Sequence, residues 1–170
     1  MEPSPMTEVS IRRGRPTDAD ALAELRIAIA EEGRWIGLEP PVERDGQVEL
    51  MTSALANPDG VVTVAEADGE VVGFAGLRAT PAGHAELFMV VADGQRGRGV
   101  GRVLLDDVVG WARDRDDVAK VVLQVWPHNE AAIALYRRVG FVVEGYRHRH
   151  WPRRNGDRWD IIDMGLLVES

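Results

Sequence analysis

The 170-residue chain has no cysteine. That absence excludes a disulfide scaffold, a thiolate nucleophile and any cysteine-ligated zinc or iron–sulfur centre. Lysine is nearly missing too: Lys120 is the only one among 20 basic residues, and the rest are arginine. The net charge of −8 argues against a nucleic-acid partner, because phosphate binding wants a basic surface. No apolar run approaches 18 residues, so neither a helical span nor a membrane partner is expected. The opening residues 1–6 (MEPSPM) are acidic and broken by proline, unlike a secretory signal. A cytoplasmic protein is therefore expected. Among the four histidines no HExxH spacing occurs, and His148 and His150 are not read as a metal pair, so no metal is expected. No serine lies in a GxSxG elbow. With cysteine also absent, a covalent acyl-enzyme is not expected.

What is present is an ordinary globular balance, 45% hydrophobic and 28% charged, in a length that suits one domain. No linker or repeat divides residues 1–170, and the core is expected over about 9–168. Residues 8–13 read as a first strand. Thr17 reads as the cap of a helix carrying Leu22, Leu25 and Ile29 at helical spacing, ended by Gly33. A loop at 34–41 precedes a second helix at 42–56. Strands at 61–67 and 70–77 are joined by Asp68-Gly69, a two-residue hairpin signal. A third strand at 86–92 leads to a Gly/Arg loop at 93–101. An amphipathic helix follows at 101–115, with Val103, Leu104, Val108 and Trp111 as its expected core face. A strand at 120–125, a helix at 129–139 and strands at 141–145 and 160–168 complete the chain. The segment 147–158 (RHRHWPRRNGDR) reads as their link. The layout is mixed α/β (α+β): about four helices on a mostly antiparallel sheet of six to seven strands.

The sharpest local feature is RGRGVG at 96–101, placed after a strand and opening a helix. Glycines there let backbone approach a ligand and adopt positive φ, and a helix N-terminus offers free N–H groups with the positive dipole end. Together they suit a pyrophosphate. Arg96, Arg98 and Arg102 are expected to add local positive charge. The Walker pattern GxxxxGK[ST] and the dinucleotide pattern GxGxxG are both absent, which argues against nucleotide hydrolysis and a Rossmann site.

Residues 91–101 (VADGQRGRGVG) resemble the V-x-P-x-x-[RQ]-G-x-G-x-G segment of the GNAT superfamily of acyl-CoA-dependent N-acyltransferases, with Asp93 in place of the usual proline. Residues 129–141 (NEAAIALYRRVGF) resemble the same family's N-x-x-A-x-x-L-Y-x-x-x-G-F. The likeness runs over about 10–168. It implies acetyl-CoA as co-substrate, wedged where the 86–92 and 120–125 strands splay apart. It implies cofactor contacts from Met89, Val90, Val91, Arg96, Gly97, Arg98, Gly99, Val100, Gly101, Arg102, Asn129 and Tyr136. In the family the tyrosine lies near the thioester sulfur, which makes Tyr136 the general acid. On the residues alone, Tyr136 can also be read as a packing residue and Asn129 as a helix cap.

A base must take a proton from the acceptor amine. Glu86, a carboxylate opening an otherwise apolar strand, is the candidate, ahead of Glu39 and Glu130. Trp35, with Glu31, Glu32 and Glu39, is a candidate wall of the acceptor pocket. The expected activity is N-acetyl transfer to a primary amine by direct attack in a ternary complex. An acyl-CoA-binding sensor without turnover, or an acyltransferase using another acyl-CoA, fits the same motifs. The sequence is compatible with a monomer or a homodimer.

Overall fold

The computed structural model describes residues 8–168; the opening 1–6 and the last serine, Ser170, lie outside the described residues. In chain order these form β1 (Val9–Arg13), a 3-10 turn (Pro16–Asp18), α1 (Ala19–Glu31), α2 (Arg44–Ala56), β2 (Gly60–Ala67), β3 (Glu70–Ala79) and β4 (His84–Val91). A second 3-10 turn (Asp93–Gln95) leads to α3 (Val100–Arg113), β5 (Lys120–Val125), α4 (Glu130–Val139), β6 (Val142–Pro152) and β7 (Arg158–Leu167). The strands make one sheet in the order β1-β2-β3-β4-β5-β7-β6. Every pairing is antiparallel except β4 with β5, which run parallel.

Hydrophobic alternation assigns each strand face to a helix pair. Val62, Val64, Phe74 and Val90 turn toward α1 and α2, whose Leu22, Leu25, Ile29 and Met51 are buried against them. Val61, Ala65, Ala75 and Val121 turn the other way, toward α3 and α4. Each fully buried aliphatic side chain contributes about 1.5–3 kcal/mol. The Asp68-Gly69 turn places both residues at positive φ, 52° and 78°, as a tight hairpin requires.

Three local expectations need correction. Thr17 does not cap α1; it sits inside the 3-10 turn, and the Asp18 carboxylate takes the Arg15 N–H instead, at 2.6 Å. On α3 the core face runs through Val100, Leu104, Leu105, Val108, Val109 and Ala112, while Val103 is 48% exposed on the flank. The segment 147–158 is mostly not a link: β6 runs to Pro152 and β7 starts at Arg158, leaving a turn closed by the Arg153 N–H on the Asp157 carbonyl at 2.8 Å. Its polar alternation hid the strands. β6 is an exposed edge strand, so no buried face marks its period.

The entry to α1 is held by charge. The Arg12 guanidinium binds Asp18 through two nitrogens, at 2.8 and 2.9 Å, and Glu66 at 2.6 Å. Its hydrogen bonds hold the buried Asp18 carboxyl below the usual carboxylate range. Removing one partner of such a pair leaves an uncompensated charge, at a cost of about 3–5 kcal/mol when fully buried. Arg12→Met should therefore lower unfolding free energy by about 3 kcal/mol at pH 7. Because the folded pKa is depressed, the pair's contribution is present above the ordinary carboxylate pKa and lost as pH falls through the folded one. Denaturant titrations of both proteins should show the gap narrowing at pH 3; a gap that stays constant would remove Asp18 from the account.

Candidate active site

The turn before α3 is built by glycine. Gly97 and Gly99 hold φ at 72° and 84°, and at both positions a side chain would meet open space. Gly99 caps α3 in the left-handed conformation, so the first N–H groups of a 14-residue helix point outward from a bare backbone. Gly101 serves close packing instead. A Cβ there would lie 3.2 Å from Leu135 and 3.5 Å from Met89, so α3 rests directly on α4 and β4. The Val100 side chain is 3% exposed, in the core, so only its main chain faces this turn.

The sheet opens beside that turn. β4 and β5 pair only at His84↔Lys120, Ala85↔Val121 and Glu86↔Val122. Beyond Glu86 the two strands part, while β4 keeps β3 as its other neighbour through Val91. Helix α4 flanks the opening. Its cap is Asn129, whose side chain accepts the Ala132 N–H at 3.3 Å. Between these elements lies a cavity of about 360 Å³. Met89, Val90 and Val91 line it from β4, Arg96, Gly97 and Gly99 from the turn, and Gly101 and Arg102 from the start of α3. Asn129 and Tyr136 line it from α4, and Trp35 from the α1–α2 loop. Arg98 is exposed and binds Gln95 at 3.1 Å.

Tyr136 is 8% exposed, and its ring packs 5.8 Å from that of Phe141. Its hydroxyl has no hydrogen-bond partner among the described residues. Burial without a counter-charge pushes the phenol up to about 12, so it stays protonated at neutral pH.

The charges are arranged differently from expectation. Arg96, Arg98 and Arg102 were expected to give the turn a local excess of positive charge. Arg96 instead forks onto Glu32, with both contacts at 2.7 Å, and its Nε donates to the Val91 carbonyl at 3.0 Å. Arg102 binds Asp106 one turn along α3, at 2.7 Å. Pairs as exposed as Arg102–Asp106 contribute about 0–1 kcal/mol and open easily for a ligand. Glu32 is held below the carboxylate range, first by Arg96 and then by the Trp35 indole N–H, at 2.7 Å.

Glu86 is not the lone carboxylate expected. It pairs with Arg78 directly across β3–β4 and stands partly exposed, outside the cavity that holds Tyr136. Glu39 is also outside it, bound to Arg153 at 3.3 Å and to the Arg154 N–H at 3.1 Å. Glu130 is exposed at the start of α4.

Sequence reasoning missed the scaffold of the α1–α2 loop. The Trp35 carbonyl accepts the Trp126 indole N–H at 3.1 Å, and the Arg34 carbonyl lies 2.7 Å from His128 Nε2. Buried Arg153, from the β6–β7 turn, stacks 3.9 Å over Trp159 and donates to the Ile36 carbonyl. The only signal in the sequence was the density of Trp and Arg in the 147–159 stretch.

Comparison with known proteins agrees with this geometry. Residues 21–141 match the family model described as the acetyltransferase (GNAT) family, and the chain belongs to that family. It is 38% identical over 116 residues to the aminoglycoside N(6')-acetyltransferase type 1 of Stenotrophomonas maltophilia, covering 62% of this chain and 68% of that one. It is 37% identical over 111 residues to the N-alpha-acetyltransferase RimI of Mycobacterium tuberculosis, covering 63% and 68%. The fold matches that of yncA, a putative acetyltransferase from Salmonella typhimurium solved with acetyl-CoA, at a TM-score of 0.84. That match covers 96% of both chains at 22% identity, which speaks to the fold. The protein is an acetyl-CoA-dependent N-acetyltransferase of that family.

Tyr136 gives a stability signature. Its folded pKa of about 12 exceeds the unfolded value near 10, so the folded state keeps the proton longer. Stability is unaffected below pH 10 and is lost as pH rises toward 12, by about 2.7 kcal/mol. Wild type should lose that much more than Tyr136→Phe over this range in denaturant titrations. Parallel pH profiles would mean that the phenol is not desolvated.

Proposed function

We propose that the cavity between β4, α3 and α4 seats the acetyl-CoA thioester, and that Tyr136 handles the leaving sulfur. The reading rests on one observation: the protonated hydroxyl of the largely buried Tyr136, without a protein partner, lines a cavity that also reaches the bare-backbone turn at Gly97 and Gly99. The pyrophosphate fits the N–H groups of that turn and of the first turn of α3, with Arg98 and Arg102 alongside. The pantetheine arm takes the place of the missing strand partner beside Met89, Val90 and Val91. Asn129 caps α4 at the cofactor's edge.

In the reaction the amine lone pair attacks the thioester carbonyl. A C–N bond forms, the C–S bond breaks, the nitrogen loses one proton and CoA departs as the thiol. A main-chain N–H of β4 stabilises the developing oxyanion. Giving a proton outright from a phenol near 12 to a thiolate near 8.5 costs about 4.8 kcal/mol. Tyr136 therefore donates a hydrogen bond to the sulfur and passes a proton on only as it receives one.

The acceptor must arrive without its own proton. At pH 7 a lysine-type amine is neutral at a cost of about 4.6 kcal/mol, a protein α-amino group at about 1 kcal/mol. Glu86 remains the candidate base, reached through water because it lies outside the cavity of Tyr136. Trp35 and Ile36 wall the acceptor end, and Glu39 acts by holding their loop to the β6–β7 turn. The protein works as one domain in the cytoplasm, as a monomer or homodimer, without metal, nucleic acid or membrane.

Incubation with acetyl-CoA and an amine panel should release free CoA. Tyr136→Phe should lower kcat by about 100-fold while the acetyl-CoA Kd stays within about twofold. Undiminished turnover in that variant would take Tyr136 out of the chemistry.

A further inference from the structure

A second cavity, of about 640 Å³, opens on the α1–α2 side of the sheet. Leu50, Met51 and Ala54 of α2 and Phe88 of β4 supply apolar walls. The size falls within the roughly 300–1,000 Å³ of small-molecule sites. Phe88 lies flat over Gly76, where a Cβ would come within 2.1 Å of the ring, so the glycine makes the room. Arg78 and Glu86 pair at the rim and neutralise each other.

One charge in this cavity is left over. Arg26 of α1 lines it, and its one hydrogen bond runs from Nε to the Gln47 side chain at 2.9 Å. Among the described residues no carboxylate lies within ion-pair reach of Arg26. Burial makes its charge costly, lowering its pKa with no opposing cause. A half-buried guanidinium without an anion is a fork fitted to a carboxylate.

The second cavity adjoins the first along two walls. On β4, Phe88 lines the second and Val90 the first, both on the same sheet face and about 6.6 Å apart. On α1, Arg26 lines the second and Ile29 the first, one helical turn away on the same side. A molecule anchored at Arg26 would extend along these two walls toward the thioester end.

We propose that this cavity is the acceptor seat, and that Arg26 selects an amine whose own molecule carries a carboxylate on an apolar body, as a free α-amino acid does. The inference rests on the function proposed above and names its substrate class. The apolar walls take the side chain, the guanidinium takes the carboxylate, and the α-amine points to the opening between β4 and β5.

Two readouts separate this seat from the catalytic reading. In the first, CoA release is measured with L-phenylalanine and L-methionine against their amides. The free acids should exceed the amides in kcat/KM by about tenfold or more. Arg26→Gln, which keeps the hydrogen bond to Gln47 within reach, should bring the acids down to the amides and leave the amides unchanged. Arg26→Lys should restore part of the preference. Amides as good as acids, equal losses for both, or turnover confined to amines outside this panel would overturn the proposal. The second readout needs no turnover. 3-Phenylpropionate, a carboxylate without an amine, should bind the CoA-loaded protein saturably by calorimetry. That binding should be lost in Arg26→Gln and weakened in Ala54→Leu, which narrows the cavity, while acetyl-CoA affinity holds in both. Absent or variant-independent binding would overturn the seat. Saturable, Arg26-dependent binding without CoA release from any amine would uphold the seat and count against the catalytic reading alone.

Discussion

The parallel pairing of β4 with β5 lasts three residues and then fails, and the rest of the site follows from that failure. Backbone groups beyond Glu86 lose a neighbour, and an unpaired polar group kept from water costs about 1–3 kcal/mol. The chain tolerates the gap because everything around it is firmly tied. β4 keeps its full register with β3. β5 keeps six pairs with β7. Helix α3 closes one side through Gly101, where the Leu135 and Met89 side chains lie against the bare glycine. A ligand with amide groups along its length then completes a sheet whose other hydrogen bonds are already made.

The loop between α1 and α2 converts this gap into a room with walls. Among the contacts that hold it are Glu32 on Arg96, Trp35 on Trp126, and Glu39 on Arg153. Each contact joins it to a different part of the chain, the turn before α3, the end of β5 and the β6–β7 turn. Arg96 belongs to two surfaces at once. Its residue lines the first cavity while its side chain fixes the end of α1. The turn that receives phosphate and the loop that faces the acceptor therefore do not move independently.

Much of this was legible in the sequence, and the reasons differ from part to part. The strands β2 to β5 carry buried alternation or continuous apolar runs, and the Asp68-Gly69 turn has side chains suited to positive φ. The glycines of the α3 turn stand out because few other residues accept φ near 80°. β6 was legible only as far as residue 145, because an edge strand exposed on both faces has no buried period to read. Long-range ion pairs were illegible for another reason. Glu32 and Arg96 are 64 positions apart, and nothing local distinguishes a paired arginine from a solvated one. For the same reason Glu86 looked solitary until the β3–β4 register set Arg78 opposite it. Arg26 carried no mark in the sequence. Its meaning comes from what surrounds it in space.

The sole lysine, Lys120, has its ammonium 2.6 Å from Glu144. Every other side-chain cation is either a guanidinium, too basic to act as a nucleophile near neutrality, or a histidine. In a compartment rich in reactive thioester, such a protein offers little that spontaneous acylation can consume. Its ion pairs at Asp18, Glu32 and Glu39 all use arginine, so the charge pattern that holds it together is chemically inert toward its own co-substrate.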